Sequence, residues 1–320
     1  MITLDDVLSA RQRIAPHIRQ TPFMTASRLG DAAKVALSLK CESFQKTGSF
    51  KVRGALNAIL GMSAEKKKRG VITVSAGNHA QAVAYAASIA GVSSTVVMPE
   101  TASKLKVAAS RGYGAEVVLH GPSGIEAFAR ARELEAERGL VFVHPFEDVA
   151  VVAGAATVGL EILEQADAPI DVVVVGVGGG GLISGVAASI KAKSPRTRVV
   201  GVEPEGAAVM RKSLDAGHAT RLDRIDTIAD GLAAPMAGNL TYAMVKALVD
   251  DVVLVTDEEI KQAMRDLMLL AKLVVEPAGA AAVAAITAGR IGAKPGTRVV
   301  AIVSGGNVDL DRYASMISAG

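Results

Sequence analysis

Cysteine occurs once in the 320 residues, so an internal disulfide is excluded. Cys41 falls in the β-like run "VALSLKCES", which predicts a buried, inert thiol and suits a reducing cytoplasm. An excess of charge of one sign is also lacking. Thirty-five basic residues against 32 acidic ones leave a net +3, and no cluster of Lys and Arg is interleaved with aromatics. The short run "EKKKRG" at 65–70 reads as a solvated helix end, so nucleic acid is not an expected partner. No H-E-x-x-H or C-x-x-C pair is present, and His17, His79, His120, His144 and His218 are scattered, so no metal site is expected. The N-terminus "MITLDDVLSARQR" lacks the basic flank and apolar core of a secretory signal. One charge-free run, Val172 to Ile190, is long enough to suggest a membrane span, but its six glycines cluster centrally and fit a strand, a loop and a helix. No membrane partner is expected.

What is present is alternation. The runs "GVITVSAG", "SSTVVMPE", "AEVVLHG", "DVVVVGVG", "TRVVGVEP", "DVVLVTD" and "TRVVAIVSGG" are short and β-branched, as strands buried on both faces should be. Between them "NHAQAVAYAASIAG", "ASKLKVAASRG", "GIEAFARARELEAERG" and "EEIKQAMRDLMLLAKL" carry helical apolar spacing. The class is α/β, with parallel sheets flanked by helices. A chain that is 50% hydrophobic can bury two cores of ordinary size. The four short units between 70 and 147 predict a small domain inserted into a large one built from 1–69 and 148–320. The ligand then belongs at the strand ends facing the cleft between them.

Two glycine-rich turns predict anion sites. "VVVVGVGGGGLISGVAASI" runs from strand through Gly178, Gly179, Gly180 and Gly181 into a helix, so backbone N–H groups and a helix N-terminus converge on one spot. Gly176, Gly178 and Gly181 satisfy G-x-G-x-x-G with Glu203 ending the next strand, so a dinucleotide and a phosphomonoester both fit. "SAGNHAQAVAYAA" repeats the device with Ser75, Gly77, Asn78 and His79, where free N–H groups suit a carboxylate. His79 itself reads first as a structural histidine and second as a catalyst. In "AIVSGGNVD", Ser304 ends an apolar strand, either to meet a ligand or to satisfy its own turn. In "KTGSFKVRGAL", Lys51 stands two residues before Arg53 with no carboxylate nearby in sequence. An amine without a carboxylate partner is freer to be neutral and nucleophilic.

Taken together, "TGSFKVRGA", "SAGNHAQAVA", "GVGGGGLISG", "IADGL", "VVEPAGA" and "SGGNVDL", in this order, resemble the fold-type II pyridoxal-phosphate enzymes, and within them the serine/threonine dehydratase and serine racemase branch. The likeness covers essentially the whole chain and implies the two-lobed fold of the tryptophan synthase β type. It implies that Lys51 holds pyridoxal 5'-phosphate as a Schiff base, with Phe50 against the ring and Asn78 at its phenolic oxygen. By the same resemblance Gly178 to Gly181 hold the phosphate, Ser304 meets the pyridine nitrogen and Glu276 lies near the cofactor. The substrate carboxylate falls to Ser75, Gly77, Asn78 and His79. Some relatives pair the counterpart of Glu203 with an aspartate six residues on to bind a divalent cation, and here that position is Val209.

The implied reaction is dehydration of a 3-hydroxy amino acid, L-threonine, L-serine or a bulkier analogue, to a 2-oxo acid and ammonia. Ser304 is neutral, so the pyridine nitrogen stays largely unprotonated, a weaker electron sink that favours elimination over transamination. Racemase members carry a serine directly after the first serine of the cradle loop, whereas this chain has Ala76. A serine or amino-acid racemase is the first alternative, and a dinucleotide-dependent oxidoreductase or a non-catalytic binder of the same fold the others. The family implies a cytoplasmic homodimer or homotetramer. No regulatory domain is expected after "SGGNVDLDRYASMISAG", nor feedback inhibition through one.

Overall fold

The computed structural model describes residues 1–318. Its strands form two sheets. The larger comprises β1 (Phe23–Thr25), β2 (Ala36–Cys41), β7 (Val172–Gly176), β8 (Arg198–Pro204), β9 (Asp251–Val255) and β10 (Arg298–Val303), in the order β1-β2-β10-β7-β8-β9. The smaller comprises β3 (Val71–Val74), β4 (Ser94–Met98), β5 (Glu116–Leu119) and β6 (Val141–Phe142), in the order β5-β4-β3-β6. All seven strand-like runs of the sequence are strands here. The parallel sheets expected are present, with one antiparallel addition at an edge, where β1 pairs with β2, Met24 opposite Leu39. Three residues on an edge, directly after Pro22, give too little periodicity to be seen in sequence.

The strand "VVVVG" shows why these segments read as unbroken apolar runs. Every residue of β7 is buried, and its side chains alternate between two cores. Val172 and Val174 pack with the helix Pro277–Thr287 and with Ile260 and Met264, whereas Val173 and Val175 pack with Ile183, Val186 and Ile190 of the helix Gly181–Lys193. A sheet covered on both faces leaves no side for polar residues. Cys41 ends β2 in the first of these cores, and burial pushes its thiol up to about 12, as an inert cysteine requires.

Parallel strands all end on one side, and that is where the loops gather. β3 leads through Ser75–Gly77 into the helix Asn78–Ala90, β7 through Val177–Gly180 into the helix Gly181–Lys193, and β10 into Ser304. The run 172–190 is thus the predicted strand, loop and helix. Among the described residues no helix is long and apolar enough to cross a membrane.

Candidate active site

Lys51 is the first residue of the helix Lys51–Leu60. The preceding loop is fixed by an antiparallel bridge between Ser49 and Gly305 and by the N–H of Phe50, which donates to the carbonyl of Ser304 at 3.1 Å. The chain is thereby stitched to the end of β10. The Lys51 side chain reaches into a cleft of about 390 Å³ lined from both sheets. Its Nζ donates to the Pro145 carbonyl at 2.9 Å and lies 5.2 Å from the Phe50 ring centroid. Burial brings the amine down to about 8, against the opposing pull of the Glu276 carboxylate. Among the described residues no ion pair involves Lys51, in keeping with its lack of acidic neighbours in sequence.

Across the cleft, Gly178 to Gly181 turn from β7 into the helix. Gly180 has φ +89°, a left-handed conformation that a side chain would strain. At Gly179 a Cβ would overlap the Phe146 ring, so the ring can lie on the loop because that residue is glycine. Thr241 Oγ1 donates to the Gly179 carbonyl at 2.7 Å and holds the loop from below. The loop lines the cleft and opens a helix whose first N–H groups have no intrahelical acceptor, a cradle suited to a phosphate.

The second cradle is narrower than the sequence suggested. The N–H of Ser75 is not free: it donates to Val97 in the sheet, while Ser75 Oγ accepts from the Gly77 N–H at 3.1 Å. The N–H groups opening the helix at Asn78 and His79, which have no intrahelical acceptor, remain available to an anion. The His79 ring is buried, with Nε2 at 3.1 Å from the Val143 carbonyl. Burial and then the Lys51 charge push it down to about 3, so the ring is neutral. Its Nδ1 is buried without a hydrogen-bond partner, and His79 lines the cleft.

Asn78 Nδ2 donates to Glu276 Oε1 at 2.6 Å, and Asn78 Oδ1 accepts from Asn307 Nδ2 at 2.8 Å. Glu276 is buried, and burial raises its carboxyl to about 7 in spite of the Asn78 bond. Ser304 lines the cleft at the end of β10, its Oγ donating to the Ala278 carbonyl at 3.3 Å. Every site residue singled out in the sequence, Phe50, Lys51, Ser75, Gly77, Asn78, His79, Gly178 to Gly181, Glu276 and Ser304, lines this one cleft. Sequence reasoning missed Pro145 and Phe146 of "HPFED", and Asn307, although "SGGNVDL" had been singled out. It also missed the mouth of the cleft, where Asp230 meets Arg312 as a close ion pair and Lys106 at 3.7 Å.

Glu203 lies outside the cleft. Its two oxygens accept from the N–H groups of Met210 and Arg211 at 2.7 and 2.8 Å, so they cap the helix Val209–Ala216. Among the described residues no group of three or more metal-ligating side chains is assembled.

The residues present fit pyridoxal phosphate: a glycine cradle for one phosphate, an amine of lowered basicity, and a neutral hydroxyl at a strand end, all in one cleft. The model of the family described as "Pyridoxal-phosphate dependent enzyme" matches residues 14–305. L-threonine ammonia-lyase of Thermotoga maritima is 44% identical over 321 residues, covering 100% of this chain and 79% of that one. The processed form of threonine deaminase isoform 2 from Solanum lycopersicum superposes with a TM-score of 0.94 at 38% identity, over 98% of this chain and 86% of that one. Maize serine racemase superposes with a TM-score of 0.93 at 39% identity, over 99% and 97%.

Proposed function

The chain belongs to the pyridoxal-phosphate dependent enzymes and is an ammonia-lyase of that family; from that premise we propose that its substrates are small 3-hydroxy amino acids, L-threonine and L-serine first, released as 2-oxo acid and ammonia. The observation that carries the reading is Lys51 at the floor of the cleft, unpaired and lowered to about 8. Bound there, the cofactor supplies an aldehyde for the amine and a conjugated ring that accepts electrons from Cα.

The chain's own groups do the rest. Lys51 Nζ would hold the cofactor, and the same amine, lowered to about 8, would be the base for the proton at Cα. The N–H groups of Gly178 to Gly181 would bind the phosphate, and those of Asn78 and His79 the substrate carboxylate. Phe50 would pack against the cofactor, Asn78, steadied by Glu276 and Asn307, would hydrogen-bond it, and Ser304 would offer its ring nitrogen a neutral partner. Threonine is favoured over bulkier analogues by the likeness to threonine ammonia-lyase and threonine deaminase, and serine by the likeness to serine racemase. The same reading carries a cytoplasmic homodimer or homotetramer, supported by the buried, unoxidised type of Cys41 and by the family's habit.

The experiment is a panel of 3-hydroxy amino acids with ammonia and 2-oxo acid measured together. Equimolar release from L-threonine or L-serine is expected. Release from neither, with turnover of another class of amino acid, overturns the substrate reading.

A further inference from the structure

Beneath the cleft lies a charged cluster that the reaction does not use. Arg53, two residues after Lys51 on the same helix, is fully buried. Each of its five N–H groups has an acceptor. Nε donates to Glu42 Oε2 at 2.7 Å, and one terminal nitrogen donates to Glu161 Oε1 at 2.7 Å and Thr157 Oγ1 at 3.2 Å. The other donates to Glu42 Oε1 at 2.8 Å and Glu161 Oε2 at 2.9 Å. The fully buried Lys40 uses all three of its donors as well, on Glu161 Oε2 at 2.6 Å, Gln165 Oε1 at 2.7 Å and the Thr21 carbonyl at 3.0 Å. Thr21 Oγ1 completes the set on Glu42 at 2.6 Å.

Two cations and two carboxylates taken out of water are costly, and such a group seldom adds stability over an apolar core of the same shape. What it does add is geometry, since a guanidinium with every donor satisfied admits one placement. The placement concerns Lys51. Glu42 stands where β2 ends, and its pair with Arg53 closes the loop 42–53 that carries Ser49, Phe50 and Lys51. Glu161 lies on the helix Val149–Gln165, which follows directly on Pro145 and Phe146, the carbonyl that receives Lys51 Nζ and the ring that covers Gly179. One guanidinium therefore references both the backbone of Lys51 and the acceptor of its amine.

We propose that Arg53 is a positioning residue for the reaction, and that its network with Glu42, Glu161 and Lys40 sets where Lys51 Nζ stands in the cleft. The proposal rests on Lys51 being the cofactor-holding amine, which labelling of the wild-type enzyme tests separately. Arg53→Lys keeps the charge and loses the fork. In enzyme saturated with pyridoxal phosphate, kcat per bound cofactor is expected to fall about 10- to 100-fold with KM within about 3-fold, the cost of an ångström-scale misplacement. The pH midpoint at which the apoprotein takes up the cofactor should move with it. Thr157→Val removes one acceptor from Arg53 without touching a charge, and should lower kcat in the same sense by a smaller factor. If Arg53→Lys does not fold, this second variant decides alone. Unchanged kcat per bound cofactor and an unchanged midpoint, whatever the loss in melting temperature, would show a merely structural network and overturn the proposal. Absence of cofactor from Lys51 in the wild type would instead remove the functional reading beneath it.

Discussion

Lys51 stands at the first position of a helix, and burial disfavours its ammonium. An ordinary lysine, at 10.5, is almost wholly charged at neutral pH, whereas one at about 8 keeps a useful neutral fraction. Uptake of pyridoxal phosphate by the apoprotein requires the neutral amine, so its rate should rise with pH and level off above about 8. Stopped-flow absorbance checks this, and a rate still climbing in proportion to hydroxide beyond pH 10 would contradict it. Ala76 bears on the choice between dehydration and racemisation. It lines the cleft in the loop after β3, and a methyl group carries no exchangeable proton for the face opposite Lys51. L-serine in D₂O should give pyruvate without D-serine above background, and Ala76→Ser should let some D-serine appear in chiral chromatography. D-serine formed by the unaltered enzyme as fast as pyruvate would mean that another group protonates that face.

At the scale of elements, the Lys51 helix and the helix Val149–Gln165 approach so closely that glycine is needed on both. A Cβ on Gly154 would meet the Arg53 carbonyl and stand 2.7 Å from the Gly54 Cα, and one on Gly54 would stand 2.7 Å from the Val151 carbonyl. Gly154→Ala is expected to destabilise by about 1–3 kcal/mol through overpacking, read from the denaturant midpoint. Gly112→Ala, where a Cβ would meet nothing within 4 Å, should change stability by less than about 1 kcal/mol and serves as the reference. Equal effects of the two would contradict the packing account. These contacts also mark what sequence reading could reach. Strands such as β7 and β10 were legible because burial on both faces leaves a continuous apolar run. β1 and the two-residue β6 were not, being too short to show a period. The glycines at 54 and 154 look like weak points in helices until the facing backbone is seen.

For the molecule as a whole, the parallel wiring of two sheets brings Lys51, Asn78, Gly179 and Ser304, far apart along the chain, to one cleft. Those residues were legible because each sits in a short motif with its own chemistry. Pro145, Phe146 and the Lys106–Asp230–Arg312 cluster were not, because nothing local distinguishes them and only the folded chain assembles them. The smaller sheet is drawn from residues 71–142, within the stretch 70–147 that the sequence leads one to expect as an inserted domain. The glycine loop alone would also have admitted a dinucleotide. The central claim, that this cleft works through a cofactor held on Lys51, is tested most directly by reducing the pyridoxal-phosphate-loaded protein with borohydride and locating the phosphopyridoxyl group by peptide mass spectrometry. One equivalent on Lys51 is predicted, lost in Lys51→Ala together with the visible absorbance. Label scattered over surface lysines such as Lys66 to Lys68 with none on Lys51, or protection against unfolding by NAD and not by pyridoxal phosphate, would contradict it.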